Sequence, residues 1–281
     1  MINIIKADMY RMVRNVGFYI AVAILLLMIG MSIYFISPGF VGMANIGDIS
    51  TVHTLEEGER AEPVDIRDIS VQDYRKMMIH SEGYALDKDI LTANMNLYYI
   101  FIFIAAIIIT LEFSGGCVKN TLSSAISRNK YFVSKAIVVF GLCIVTFFLN
   151  TYLVYFSNLI FNGKNLSSDL WTVTKATLVQ LPPALALVSI LFGIAFMTKK
   201  AAVYNMVAIP LIMVFQMLLN LAVKLFDIPV KYYYYELQIM FGKLLDNPSK
   251  SYMLQSYGVC AVIAVLFITA GWLCFRKAEI K

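Results

Sequence analysis

Residues 112–135, EFSGGCVKNTLSSAISRNKYFVSK, are a polar interruption between two long apolar runs, LYYIFIFIAAIIITL before it and IVVFGLCIVTFFL after it. Glu112 closes the first run, and Arg128, Lys130 and Lys135 precede the second. Between them Val118, Leu122, Ala125 and Ile126 recur at three- and four-residue spacing, which puts them on one face of a helix over 117–127. Gly115 and Gly116 break the incoming helix and turn the chain, because glycine adopts backbone conformations that other residues avoid. A short helix with an apolar ridge and a basic end suits docking into a groove on another protein.

The rest of the chain sets this stretch in a membrane. Sixty per cent hydrophobic residues, 15% charged residues and a mean hydropathy of +0.74 lie outside the range of soluble domains and mark an integral membrane protein. The four cysteines, Cys117, Cys143, Cys260 and Cys274, fall within apolar runs or on the expected cytosolic side, so no structural disulfide is expected. The two histidines, His53 and His80, lack metal-ligand spacing.

From the first residue onward, 1–15 carries Ile5, Met9, Met12 and Val13, with Val16 just after it, on one helical face, which predicts an interfacial amphipathic helix over 1–15. The apolar run 16–36 is long enough to span a bilayer and too long for a signal-peptide core, so it is expected to stay as a first span. Segment 37–96 holds 11 of the 18 acidic residues against five basic ones and reads as an extracytosolic loop or small cap. Further spans are expected at about 97–111, 136–160, 177–197, 201–223 and 254–275, giving six. Pro182 and Pro183 are expected to kink or break the fourth of them. Thr198, Lys199 and Lys200 read as a tight turn, and 224–253 reads as one or two interfacial or re-entrant helices, with Tyr232–Tyr235 at headgroup level.

Charge orients the chain. With both termini cytosolic, the inner segments hold 12 basic residues against three acidic ones, a net +9, and the outer segments 11 basic against 15 acidic, a net −4. That is the sign split of the positive-inside rule. The basic balance therefore reports topology, and no nucleic-acid partner is implied.

The order E-F-x-x-G, then K-N-x-L, a basic residue at Arg128 and a Lys at the start of the next span resembles the first cytosolic loop of type-2 ABC exporter permeases. Nearly the whole chain follows the pattern of that family. The resemblance implies an all-α polytopic membrane protein, a single permease domain over 1–281, in the plasma membrane: six transmembrane helices, an interfacial helix, a cytosolic coupling helix within 112–135 and a re-entrant segment before the last span. It implies pairing with a second copy or a sister permease, and two copies of a cytosolic ABC ATPase that binds the ATP and Mg. No cofactor is expected in this chain itself. Val118, Leu122 and Ile126 would form the docking ridge, Glu112 and Lys119 the hinge-side polar contacts, and Arg128 an anchor on the ATPase or phospholipid surface. Permeases with an acidic outer loop include exporters of the bacteriocin and antimicrobial-peptide export or immunity group, so a cationic amphipathic peptide is the expected substrate. A small-drug or ion exporter of the same family is the second reading, and a non-transporting sensor or anchor a third of another class.

Other chemistry finds little footing. GGCVKNT and NGKN do not fit the phosphate-binding loop, and Glu56-Glu57-Gly58-Glu59-Arg60 falls one residue short of an intramembrane protease motif. Glu112 could mark an ion path, but its place at the end of a short run favours an interfacial partner such as Lys119. Asn150, Gln180, Asn205, Gln216 and Asn220 could line a translocation path, although such side chains more often join helices.

Overall fold

A computed structural model of the chain describes residues 2–36, 91, 94, 97–123, 126–164, 167–226, 234–245 and 248–278. The elements among them are helical: α1 (Ile2–Arg14), α2 (Val16–Ile36), α3 (Tyr98–Ser114), α4 (Cys117–Ser123), α5 (Arg128–Asn162), α6 (Leu170–Thr198), α7 (Ala201–Phe226), α8 (Leu237–Lys243) and α9 (Lys250–Arg276). By length and hydropathy α5, α6 and α9 suffice to cross a membrane, and α1 with α2 adds a fourth span if that bent pair is one. Helix α3 and residues Ala201–Leu211 of α7 are shorter apolar helices.

The bend between α1 and α2 is 66° and falls at Asn15. The Asn15 side-chain oxygen accepts the Gly17 N–H at 2.8 Å, as an N-cap does, so the second helix starts afresh in a new direction. Of the expected apolar face, Met9 and Val13 of α1 and Val16 at the start of α2 are exposed, while Asp8 and Met12 turn inward.

Helix α6 is the centre of the bundle and packs against both α5 and α9, which also meet each other. Phe132 of α5, Phe192 and Phe196 of α6 and Trp272 and Phe275 of α9 pack ring on ring, with Phe132 to Phe196 centroids 4.7 Å apart and Phe196 to Phe275 centroids 5.2 Å apart. Aromatic pairs of this kind contribute about 0.5–1.5 kcal/mol each beyond their burial. Along the same seam Gly193 meets Gly271 backbone to backbone: a Cβ on Gly193 would lie 2.5 Å from the Phe267 carbonyl oxygen, which no side chain tolerates. Small residues at a helix crossing permit this approach in membrane bundles.

Pro182 and Pro183 do not break this helix. Both lie inside an unbroken α6. The carbonyl of Val179, deprived of the N–H that residue 183 would have supplied, accepts the Tyr257 hydroxyl of α9 at 3.2 Å. The expected tight turn at 198–200 is present: Lys199 takes a left-handed conformation at φ 57° and its N–H closes onto the Ala195 oxygen at 3.1 Å.

Of the expected outer segment 37–96, only Leu91 and Asn94 are described, and both are buried. The segment 224–253 contributes the short helix α8, whose first turn is capped by the Glu236 carboxylate accepting the Ile239 N–H at 3.0 Å. Residues 227–233, 246 and 247 lie outside the described residues.

Candidate functional site

The helix that delivers Glu112 changes its winding just before it. Ala106–Thr110 form a π-helical turn, in which the Leu111 N–H reaches back to the Ala106 oxygen and the Thr110 hydroxyl bonds the same oxygen at 2.9 Å. One added residue in the winding rotates all that follows by roughly 100°. Glu112 thereby ends up 4% exposed.

Three helices meet around that carboxylate. Lys135 of α5 lies 2.6 Å from Glu112 Oε2 and 2.6 Å from Asp8 Oδ1 of α1. Arg11 of α1 donates to Glu112 Oε1, and the Tyr131 hydroxyl donates to Oε2. Two carboxylates and two cations give a neutral set, and Lys135 and Asp8 are fully desolvated at 0% and 1% exposure. Removing one member of such a set strands a buried charge, whereas the intact set is near balance. One atom is left over: among the described residues Asp8 Oδ2 has no hydrogen-bond partner. Burial pushes the Asp8 carboxyl above its ordinary range, with Lys135 pulling the other way.

This network corrects the expectation for Glu112. Its partners are Arg11, Lys135 and Tyr131, and Lys119 stands exposed on α4. Asp8, Arg11, Tyr131 and Lys135 escaped the sequence reading as site residues. The local signals were the Asp8–Arg11 spacing and the motif's Lys135 at the start of the next span, which speaks for orientation and resemblance and does not mark a partner of Glu112.

The ridge of α4 is likewise turned the other way. Val118 is 1% exposed, and Leu122 and Ile126 are half-buried against the same apolar core, so much of the ridge expected to dock on a partner packs on the chain itself. The surface left outward carries Cys117 and Lys119. Gly116, at φ 69°, makes the turn between α3 and α4 that a side-chained residue would strain. Arg128 is not a free anchor: its guanidinium donates to the Phe275 oxygen at 3.4 Å and to the Arg276 oxygen, capping the C-terminal end of α9 with positive charge.

The residues expected along a path divide. Asn150 Nδ2 donates to Asn94 Oδ1 at 2.9 Å, Asn94 Nδ2 to Gln180 Oε1 at 2.8 Å, and Gln180 Nε2 to the carbonyls of Phe241 at 2.8 Å and Leu91 at 3.1 Å. Asn150 and Gln180 thus join helices. Asn205 is half-buried on α7, and the side chains of Gln216 and Asn220 lie outside the described residues. Among the described residues, no group of three or more His, Cys, Asp or Glu converges as metal ligands would.

Long apolar helices, tightly crossed and tied by buried ions and amides, define the class: a helical integral membrane protein. The chain belongs to the family described as "Multidrug efflux system permease Rv1217c, C-terminal domain", whose model matches residues 65–276. It is therefore an ABC-2 type permease, for which an ATPase partner is implied. No curated protein and no solved structure matches it.

Proposed function

We propose that this chain is the six-span transmembrane subunit of an ATP-driven ABC exporter that moves drug-like small molecules out of the cell or its membrane. Both termini face the cytosol, and ATP and Mg bind a separate ATPase subunit. The observation that carries this reading is the family match over 65–276, which takes in the loop 112–135 and every helix after it. The matched family's description, multidrug efflux, moves the substrate from the expected peptide to the small-molecule reading. The peptide expectation leaned on the acidic segment 37–96, and its charge alone does not separate a peptide from an organic cation.

In this reading the inner surface that meets the ATPase is basic: Lys119, Lys130, Lys200, Arg276 and Lys277 are all exposed. Since Val118 is buried and Leu122 and Ile126 are half-buried on the chain's own core, the ATPase engages α4 through its Cys117 and Lys119 side. Copies pair through a second permease chain, of this sequence or a sister.

The test is recovery of an ABC ATPase with the tagged chain from its native membrane in mild detergent, beside Lys119→Glu. Recovery with the wild type and reduced recovery with Lys119→Glu supports the reading. Absence of any ATPase from the wild type overturns it, and an ATPase whose turnover the chain never alters favours the sensor class. Leu122→Asp is the wrong probe, because it would disrupt the chain's own core.

A further inference from the structure

A cavity of about 380 Å³ lies among α3, α6, α7, α8 and α9. Its walls are apolar and aromatic, with Tyr98, Phe215, Tyr235 and Phe267 among them, and it is bordered by one carboxylate, Glu236. The two tyrosine hydroxyls are engaged elsewhere, Tyr98 with the Ala208 oxygen and Tyr235 with Gln255, so their rings are what they offer the cavity. Cavities of this size and lining accept drug-sized ligands, with the few polar groups fixing what binds.

Glu236 is 8% exposed and makes no ion pair among the described residues. Lys243, on the same short helix, sits instead over the Tyr234 ring at 5.0 Å. Capping α8 engages the carboxylate with the backbone N–H groups of Gln238 and Ile239, but does not account for a glutamate, since Ser, Asn or Asp cap at least as well. A carboxylate without a countercharge beside apolar walls is costly, and a bound cation offsets that cost while the aromatic faces add attraction.

We propose that this cavity binds a lipophilic organic monocation, with Glu236 as its counter-charge. The proposal rests on the exporter reading and names the substrate class for it.

The test measures equilibrium binding of tetraphenylphosphonium to the full chain in phosphatidylcholine nanodiscs, with uncharged triphenylphosphine oxide as the comparison. Wild type is expected to bind the cation saturably and more tightly than the oxide. Glu236→Asn keeps a capping oxygen and removes the charge; it should weaken cation binding at least tenfold and leave the oxide unchanged. Ile263→Trp, which fills the cavity from α9, should weaken both. Equal cation binding by wild type and Glu236→Asn, no preference over the oxide, or indifference to Ile263→Trp would each overturn the proposal. Should Glu236→Asn fail to fold, the wild-type preference and Ile263→Trp decide alone. ATPase recovery is unaffected by any of these results, so the binding proposal and the exporter reading fail separately.

Discussion

Helix α5 carries two buried polar networks, one near its start and one further along it, and the two are built differently. Near its start, Lys135 draws together Asp8 and Glu112 from two other helices, and one carboxylate oxygen of Asp8 is left without a partner. Fifteen residues on, about 22 Å along the helix axis, Asn150 opens a chain of neutral amides that ends on two backbone carbonyls. The amide chain holds α5, α6 and α8 in register and depends on no charge. The ionic set ties α1 to α3 and α5, and its stability depends on every charge being present. Buried neutral polar groups act as joints; buried ions act as joints that fail badly when one member is lost.

Lys135→Met is the sharpest way to break that contrast, because it leaves Asp8 and Glu112 buried with Arg11 alone. We expect a loss of about 3–5 kcal/mol, read as a lowered unfolding midpoint in detergent. Adding Asp8→Leu to Lys135→Met should recover part of it, and no recovery would mean that the loss comes from packing. Gln180→Leu cuts the amide chain at its centre and should cost only about 0.6–2 kcal/mol by the same measurement. A loss as large as that of Lys135→Met would erase the distinction between the networks.

The smallest effect concerns pH. The Asp8 carboxyl is raised above 3.8 in the folded chain, so the folded form holds its proton more tightly than the unfolded one. Its contribution to stability therefore falls as pH rises from near 3.8 through the folded value. Unfolding midpoints of Asp8→Asn, measured from pH 4 upward, should lose part of the wild-type decline over that window. Identical slopes for the two proteins would show that Asp8 does not titrate there.

Much of the helical layout could be read from hydropathy, and one helix bound was met at both ends: the apolar run 16–36 is α2, Val16–Ile36. The turn at Lys199 was legible for the same local reason, that few residues separate two apolar runs. The site was far less so. A periodic ridge such as Val118, Leu122 and Ile126 shows that one face of a helix is covered, but says nothing of whether the cover is a partner or the chain itself. Lys135 and Asp8 stand 127 residues apart in sequence, and no local pattern joins them. The π turn at Ala106–Thr110 lies in a run of uniformly apolar residues, where a shift of helical phase leaves no trace.

The crossing of Gly193 and Gly271 bears on traffic through the molecule. Phe267, whose carbonyl oxygen leaves no room for a methyl group on Gly193, also lines the cavity beside Glu236. Where the two glycines meet, the backbones of α6 and α9 touch with no side chain between them. A guest in the cavity therefore cannot pass at that point.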